Sequence, residues 1–79
     1  MRNVNDFKIY VKKRQIKLAM IKKLYEIKDL AKLTHYSESH IFQTINYQRG
    51  VSLQCARSYC KALDKEFDDI FKIKGNERK

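Results

Sequence analysis

The sequence predicts an all-α domain, a compact bundle of about five short helices. Three observations carry that expectation. The 79 residues contain no proline and two glycines, so few positions interrupt a helix. Apolar residues recur at three- and four-residue spacing through most of the chain, the period of one helix face. Serines stand at Ser37 and Ser52, each just ahead of such a stretch, where a hydroxyl can cap the free amides of a helix start. The length suits one small domain over 1–79, with a core adequate without disulfides or metals.

The first stretch is ambiguous. After a polar lead-in in which Asn5 or Asp6 could cap a helix, Phe7, Ile9 and Val11 alternate like a strand, while Phe7, Tyr10 and Val11 fit a helix. We expect helix, because helical sequence follows and no partner strand is evident; a short extended arm is the alternative. Residues 12–24 form a basic amphipathic helix with Ile16, Ala19, Met20 and Leu24 as its buried stripe and Ile21 beside it. Lys12, Lys13, Arg14, Lys17, Lys22 and Lys23 stay in water. Tyr25-Glu26 breaks the chain.

Residues 27–46 are the stretch around which the rest is organised. Ile27, Leu30, Ala31 and the methyl of Thr34 mark one face of a helix. His35-Tyr36 is a turn, Ser37 is an N-cap, and a second helix runs over Glu38–Asn46 with Ile41 and Ile45 inward. Ala31 is small where two helices must cross steeply. That is the pattern of a helix-turn-helix, whose second helix can enter the major groove of DNA. A loop follows at Tyr47-Gln48-Arg49-Gly50-Val51, in which Gly50 can supply a positive φ. Ser52 opens a helix with Leu53, Ala56, Cys60 and Leu63 inward. Asp64-Lys65 turns the chain, Phe67–Phe71 is a last short helix, and 72–79 is a frayed basic tail.

With Leu30-Ala31, Ser37, Ile41, the closing loop 46–50 and the helices after it in step, the chain resembles the lambda-repressor-like (Cro/repressor, XRE) family over about residues 16–72. The resemblance implies a small phage-type transcriptional regulator that reads operator DNA through the helix 38–46. It implies that Ser37, Glu38, Ser39, Phe42, Gln43, Asn46, Gln48 and Arg49 face DNA, with Lys28 and Tyr47 as further phosphate contacts. Gln43 and Asn46 are amides able to pair with adenine N6/N7, Glu38 could accept from cytosine N4, and Phe42 could touch a thymine methyl. Ser37, Ser39 and Arg49 would hold phosphates and fix the register. The family often dimerises through its last helix, so Phe67, Ile70, Phe71 and Ile73 are where a homodimer patch is expected. The chain departs from the family in three places. His35 replaces the usual turn glycine, Ile27 replaces a phosphate-binding Gln, and the second helix carries no Lys or Arg. The family also commonly has Gly around Leu24 and Ser or Thr at Glu26, so a less well capped junction is expected there.

Those departures motivate a second reading from another class, an antirepressor-like module that uses the same fold to bind and inhibit another regulator such as a repressor. A nearly uncharged helix with an exposed Phe42 suits a protein interface.

Composition narrows the rest. The net charge is +9, which points to a polyanionic partner. Residues 1–35 hold ten Lys/Arg against three Asp/Glu, and residues 36–79 hold eight against six. The positive charge therefore lies mostly ahead of the presumed reading helix. No apolar run approaches the ~18 residues of a membrane span, and no signal peptide is visible, so a cytoplasmic protein without membrane association is expected. Cys55 and Cys60 are five apart on one helix and point apart. Both are expected reduced, Cys60 in the core, a Cys55-linked dimer being the minor alternative. No residue pattern assigns a nucleophile, base and oxyanion site, a metal site or a cofactor site, so no enzyme, metal or cofactor is expected.

Overall fold

A computed structural model describes residues 7–75. Among these residues are five helices, as expected, together with a two-stranded sheet that was not. The order is β1 (Phe7–Val11), α1 (Lys13–Lys22), α2 (Ile27–Thr34), α3 (Glu38–Asn46), α4 (Leu53–Leu63), α5 (Phe67–Ile70) and β2 (Phe71–Gly75). The caps expected of Asn5 or Asp6 and the end of the basic tail lie outside the described residues.

The sheet corrects the two ends of the sequence reading. Residues 7–11 are strand rather than helix, and the tail's first residues, 72–75, are its partner rather than frayed. The strands run antiparallel, with Val11 opposite Phe71, Ile9 opposite Ile73 and Phe7 opposite Gly75. Helices α1 and α5 pack together and bring residues 7–11 and 71–75 side by side. The Lys12 amide donates to the Ile70 carbonyl at 2.8 Å, and Lys12 Nζ to the Asp68 carbonyl at 2.7 Å. Phe71 leaves the last helix to become the first residue of β2, where it is 1% exposed. On its other edge β1 receives a bridge from the Val51 amide to the Ile9 carbonyl at 3.0 Å.

Each helix start and stop has a local cause. Helix α1 ends at Lys22 because the chain turns left-handed at Leu24 (φ 62°). The Tyr25 amide then bonds the Met20 carbonyl at 2.8 Å and the Leu24 amide the Ile21 carbonyl at 2.9 Å. Those two bonds define a Schellman motif with Leu24 in the position glycine prefers. Leu24 is therefore 87% exposed, not part of the buried stripe, which consists of Ile16, Ala19 and Met20. The junction before α2 is better capped than expected. The Glu26 amide donates to Asp29 Oδ2 at 2.8 Å, closing a capping box with carboxylates at both positions. The same device, Glu66 amide to Asp69 Oδ2 at 3.1 Å, starts α5.

The core is shared by every element: Ile9 and Val11, Ile16 and Met20, Leu30 and Ala31, Ile41 and Ile45, Ala56, Tyr59 and Leu63, then Ile70 and Phe71. Helix α4 is rotated relative to expectation. Cys55 and Tyr59 are buried, Cys60 is only partly so, and Leu53 is 62% exposed in the first turn. Burying Tyr59 brings an aromatic ring into the centre, where it meets Phe71 at 5.8 Å between ring centroids. Burial pushes the Tyr59 phenol well up from its ordinary pKa, opposed only in part by the Thr44 hydroxyl. Both cysteines are free.

Candidate nucleic-acid interface

The turn between α2 and α3 forms as the sequence implies. His35 takes the left-handed conformation (φ 66°, ψ 23°) in which histidine is one of the less costly non-glycine residues. The Ser37 hydroxyl accepts the His40 amide at 3.0 Å and starts α3. The Thr34 hydroxyl bonds back to the Leu30 carbonyl at 2.8 Å, so this threonine is satisfied while buried. Ile41 and Ile45 are 0% and 1% exposed. With one side of α3 sunk against α2, the opposite side is fixed toward solvent.

That outward side carries the residues the resemblance implies. Ser37, Glu38, Ser39 and Phe42 are exposed, and Gln43 and Asn46 are half-buried. The side chains are linked. Arg49 Nη1 donates to Gln43 Oε1 at 3.0 Å, and Gln43 Nε2 reaches Ser39 Oγ at 3.5 Å. Arg49 thereby ties the following loop to the middle of α3. The Gln43 oxygen keeps a second lone pair and its NH₂ a second hydrogen, so both can still meet a base edge. Asn46 is more committed, because its Nδ2 donates to the Phe42 carbonyl at 3.2 Å. Phe42 and Tyr47 meet edge-on, 5.6 Å between ring centroids, with Tyr47 69% exposed.

The loop turns at Gln48 (φ 54°) and not at Gly50, which has no positive φ. Gly50 instead lies flat against β1: a Cβ on it would sit 3.8 Å from the Ile9 carbonyl oxygen, an ordinary contact. Arg49 and Gln48 stay exposed.

On the other side of α3's N-terminus, Lys28 and Lys32 flank Ser37 and Glu38 across an open cleft of about 630 Å³. Lys28 makes an exposed ion pair with Glu26 at 3.8 Å, an interaction weak enough to yield to another anion. Lys32 was not among the sequence candidates; its spacing of four from Lys28 on one helix was the available signal.

Two aromatic rings close the turn. Tyr36 stacks on His40, with centroids 4.6 Å apart and planes 15° from parallel. Burial, and then the positive charge of Arg49, hold the His40 imidazole below its ordinary pKa. His40 is thus an uncharged support beneath the outer face. Burial pushes the Cys55 thiol up, with Tyr36 beside it.

The expected homodimer patch does not form as a surface. Ile70 and Phe71 are 1% exposed, and Phe67 is partly buried on Phe71, 5.3 Å between stacked rings. Only Ile73 of the four stands out, 59% exposed. These aromatics were needed to close the core of a chain this small.

The same fold occurs in known regulators. The structure is similar to the restriction-modification controller protein C.AhdI from Aeromonas hydrophila, with a TM-score of 0.66 and 24% identity over 72% of this chain and 86% of that one. It is also similar to the transcriptional regulator VanUg, TM-score 0.66 and 18% identity, over 95% of this chain and 99% of that one. No protein-family model and no curated protein sequence matches the chain. At these identities the likeness establishes a shared helix-turn-helix fold, and the match to VanUg extends over nearly the whole chain. No helix among the described residues is long and apolar enough to cross a membrane. Also among them, no group of three or more His, Cys, Asp or Glu side chains could hold a metal ion.

Proposed function

We propose that the protein is a small DNA-binding transcriptional regulator of the lambda-repressor-like kind, not an enzyme, with α3 lying in the major groove of operator DNA. The observation that carries this reading is the Ser39–Gln43–Arg49 chain of side chains. It holds a base-reading amide on the outward face of a helix-turn-helix and couples it to a guanidinium in the adjoining loop. Gln43 reads a base with its remaining donor and acceptor, Asn46 contributes less because of its bond to Phe42, and Glu38 and Phe42 contact neighbouring base edges. Ser37, Ser39, Gln48, Arg49, Tyr47 and Lys28 touch the sugar-phosphate backbone and set the register. The reading helix itself brings no cation, so affinity must come from basic residues around it. One monomer buries too little DNA for tight specific binding, so the protein acts as a homodimer or on adjacent sites. Being phage-borne and cytoplasmic belongs to this same proposal.

The test is a comparison of base preference. Replacing Gln43 and Asn46 together with Ala should relax discrimination by ~1–3 kcal/mol per lost base contact, the larger part from Gln43. Unchanged sequence preference in the double variant would remove α3 from the groove.

One observation favours the antirepressor-like alternative. Phe42, 44% exposed, borders a groove of about 340 Å³ lined by Met20, Ile21, Ile27 and Ile45. An aromatic anchor beside an apolar groove can seat another regulator. In that case Phe42→Ala abolishes the complex with the partner protein, and an affinity indifferent to the change excludes Phe42 as its anchor.

A further inference from the structure

The pairing of β1 with β2 creates a surface that neither strand has alone. In β1 and β2 the residues Phe7, Ile9 and Val11 lie on one side of the sheet with Phe71 and Ile73, the side that reaches the core. The opposite side carries Lys8, Tyr10, Lys72 and Lys74. Lys8 is directly opposite Lys74, and Tyr10 directly opposite Lys72. All three lysines are exposed. Among the described residues none of them pairs with a carboxylate; the ion pair found there is Lys28 with Glu26. Like charges directly opposite one another weaken a strand pair. A two-stranded sheet that carries them gains when an anion bridges them.

The position of this face identifies the anion. The loop after α3 lies on β1: Val51 bonds Ile9, and a Cβ on Gly50 would be 3.9 Å from Tyr10 Cε1 and 4.0 Å from Lys8 Cδ. Lys8 and Tyr10 therefore adjoin the residues next to Arg49, on the side to which Gly50 faces. The basic face thus begins beside the loop that carries Arg49. The acidic residues Asp64, Glu66, Asp68 and Asp69 precede β2, from the end of α4 through α5, and Arg57, Lys61 and Lys65 stand beside Asp64, Glu66 and Asp69.

We propose that the outward side of the β1–β2 sheet, Lys8, Tyr10, Lys72 and Lys74, is a second DNA-backbone contact that extends the footprint of α3 along the duplex. This rests on the DNA reading of α3. The sheet supplies the cations that the reading helix lacks. It contributes affinity without base preference, because ammonium groups on flexible stems see phosphate charge and not base edges.

The experiment compares two charge-matched variants of the full chain, K8Q/K72Q/K74Q and R57Q/K61Q/K65Q, with the wild type. Binding is measured by fluorescence anisotropy to a duplex carrying the site that the wild type enriches, or to unselected duplex if it enriches none, from about 50 to 200 mM salt. The sheet variant should lose about 0.9 in the slope of log affinity against log salt for each phosphate contact removed, roughly 2–3 in total, with the same ranking of sites. The control variant should keep the wild-type slope. The melting temperature of the sheet variant should hold or rise, because the Lys8–Lys74 opposition is relieved. Equal slopes in the two variants overturn the sheet contact and leave α3 untouched. A slope that falls in the sheet variant while the wild type enriches no site supports the sheet contact and overturns the reading of α3. No duplex binding by the wild type overturns both.

Discussion

Leu24 offers a sharp test of the backbone argument. It is a branched residue held at φ 62°, in the C′ position of the Schellman motif that closes α1, with its side chain 87% exposed. A left-handed conformation costs an L-residue roughly 1–2 kcal/mol, a cost glycine does not bear. Glycine brings back about 0.4–1 kcal/mol of unfolded-chain entropy. Almost no buried contact is lost, since the side chain lies in water. Leu24→Gly should therefore stabilise the fold by about 0.5–1 kcal/mol. For a domain of this size that raises Tm by roughly 2–8 °C. Leu24→Ala should change little, because it keeps the left-handed cost. The assay is urea unfolding followed by circular dichroism, with thermal melts alongside. A glycine variant less stable than the alanine variant would show that the left-handed turn at residue 24 costs less than glycine's unfolded-chain entropy, contrary to this expectation; a loss in both variants would show that the Leu24 side chain contributes packing.

Other outcomes follow from the same structure. Gly50 has no positive φ and open van der Waals room, so Gly50→Ala should be neutral or stabilise by up to about 1 kcal/mol; a loss of more than that in urea unfolding would show that the loop needs glycine. His40 is held below its ordinary pKa of 6.5, first by burial and then by Arg49. The unfolded chain therefore binds a proton there before the folded one does. That stability cost is absent above about pH 6.5 and grows as the pH falls below it, levelling off beneath the lowered folded value. His40→Asn should flatten that part of a plot of unfolding free energy against pH, and an unchanged slope would contradict the assignment.

How much was legible in the sequence divides along the distance between partners. The turn at His35, the cap at Ser37, the cap at Ser52 and the inward Ile41 and Ile45 depend on residues within one or two helical turns, and all are where the pattern put them. The sheet depends on residues 7–11 meeting residues 71–75, so the alternation of Phe7, Ile9 and Val11 had no visible partner, and a tail rich in lysine looked solvated. Leu24 fits the spacing of the α1 stripe, yet the chain leaves the helix before reaching it, and no glycine announces the exit. In α4, two faces share Ala56 and Leu63; the one with Tyr59 wins over the one with Cys60 because the larger ring fills the centre against Phe71. The outward face of α3 was legible as a set of residues. The Arg49–Gln43 bond, the commitment of Asn46 to Phe42 and the nearness of β1 to the loop were not, since each depends on how the loop folds back.

The central claim is that α3 reads DNA sequence, and selection of fragments from host or phage genomic DNA by the purified protein at about physiological salt tests it most directly. If α3 lies in the groove, one or a few sites are enriched, with two half-sites about one helical turn apart if the protein binds as a dimer. Weak, uniform, salt-sensitive binding to all fragments would contradict it, and would leave the face around Phe42 as a surface for another protein.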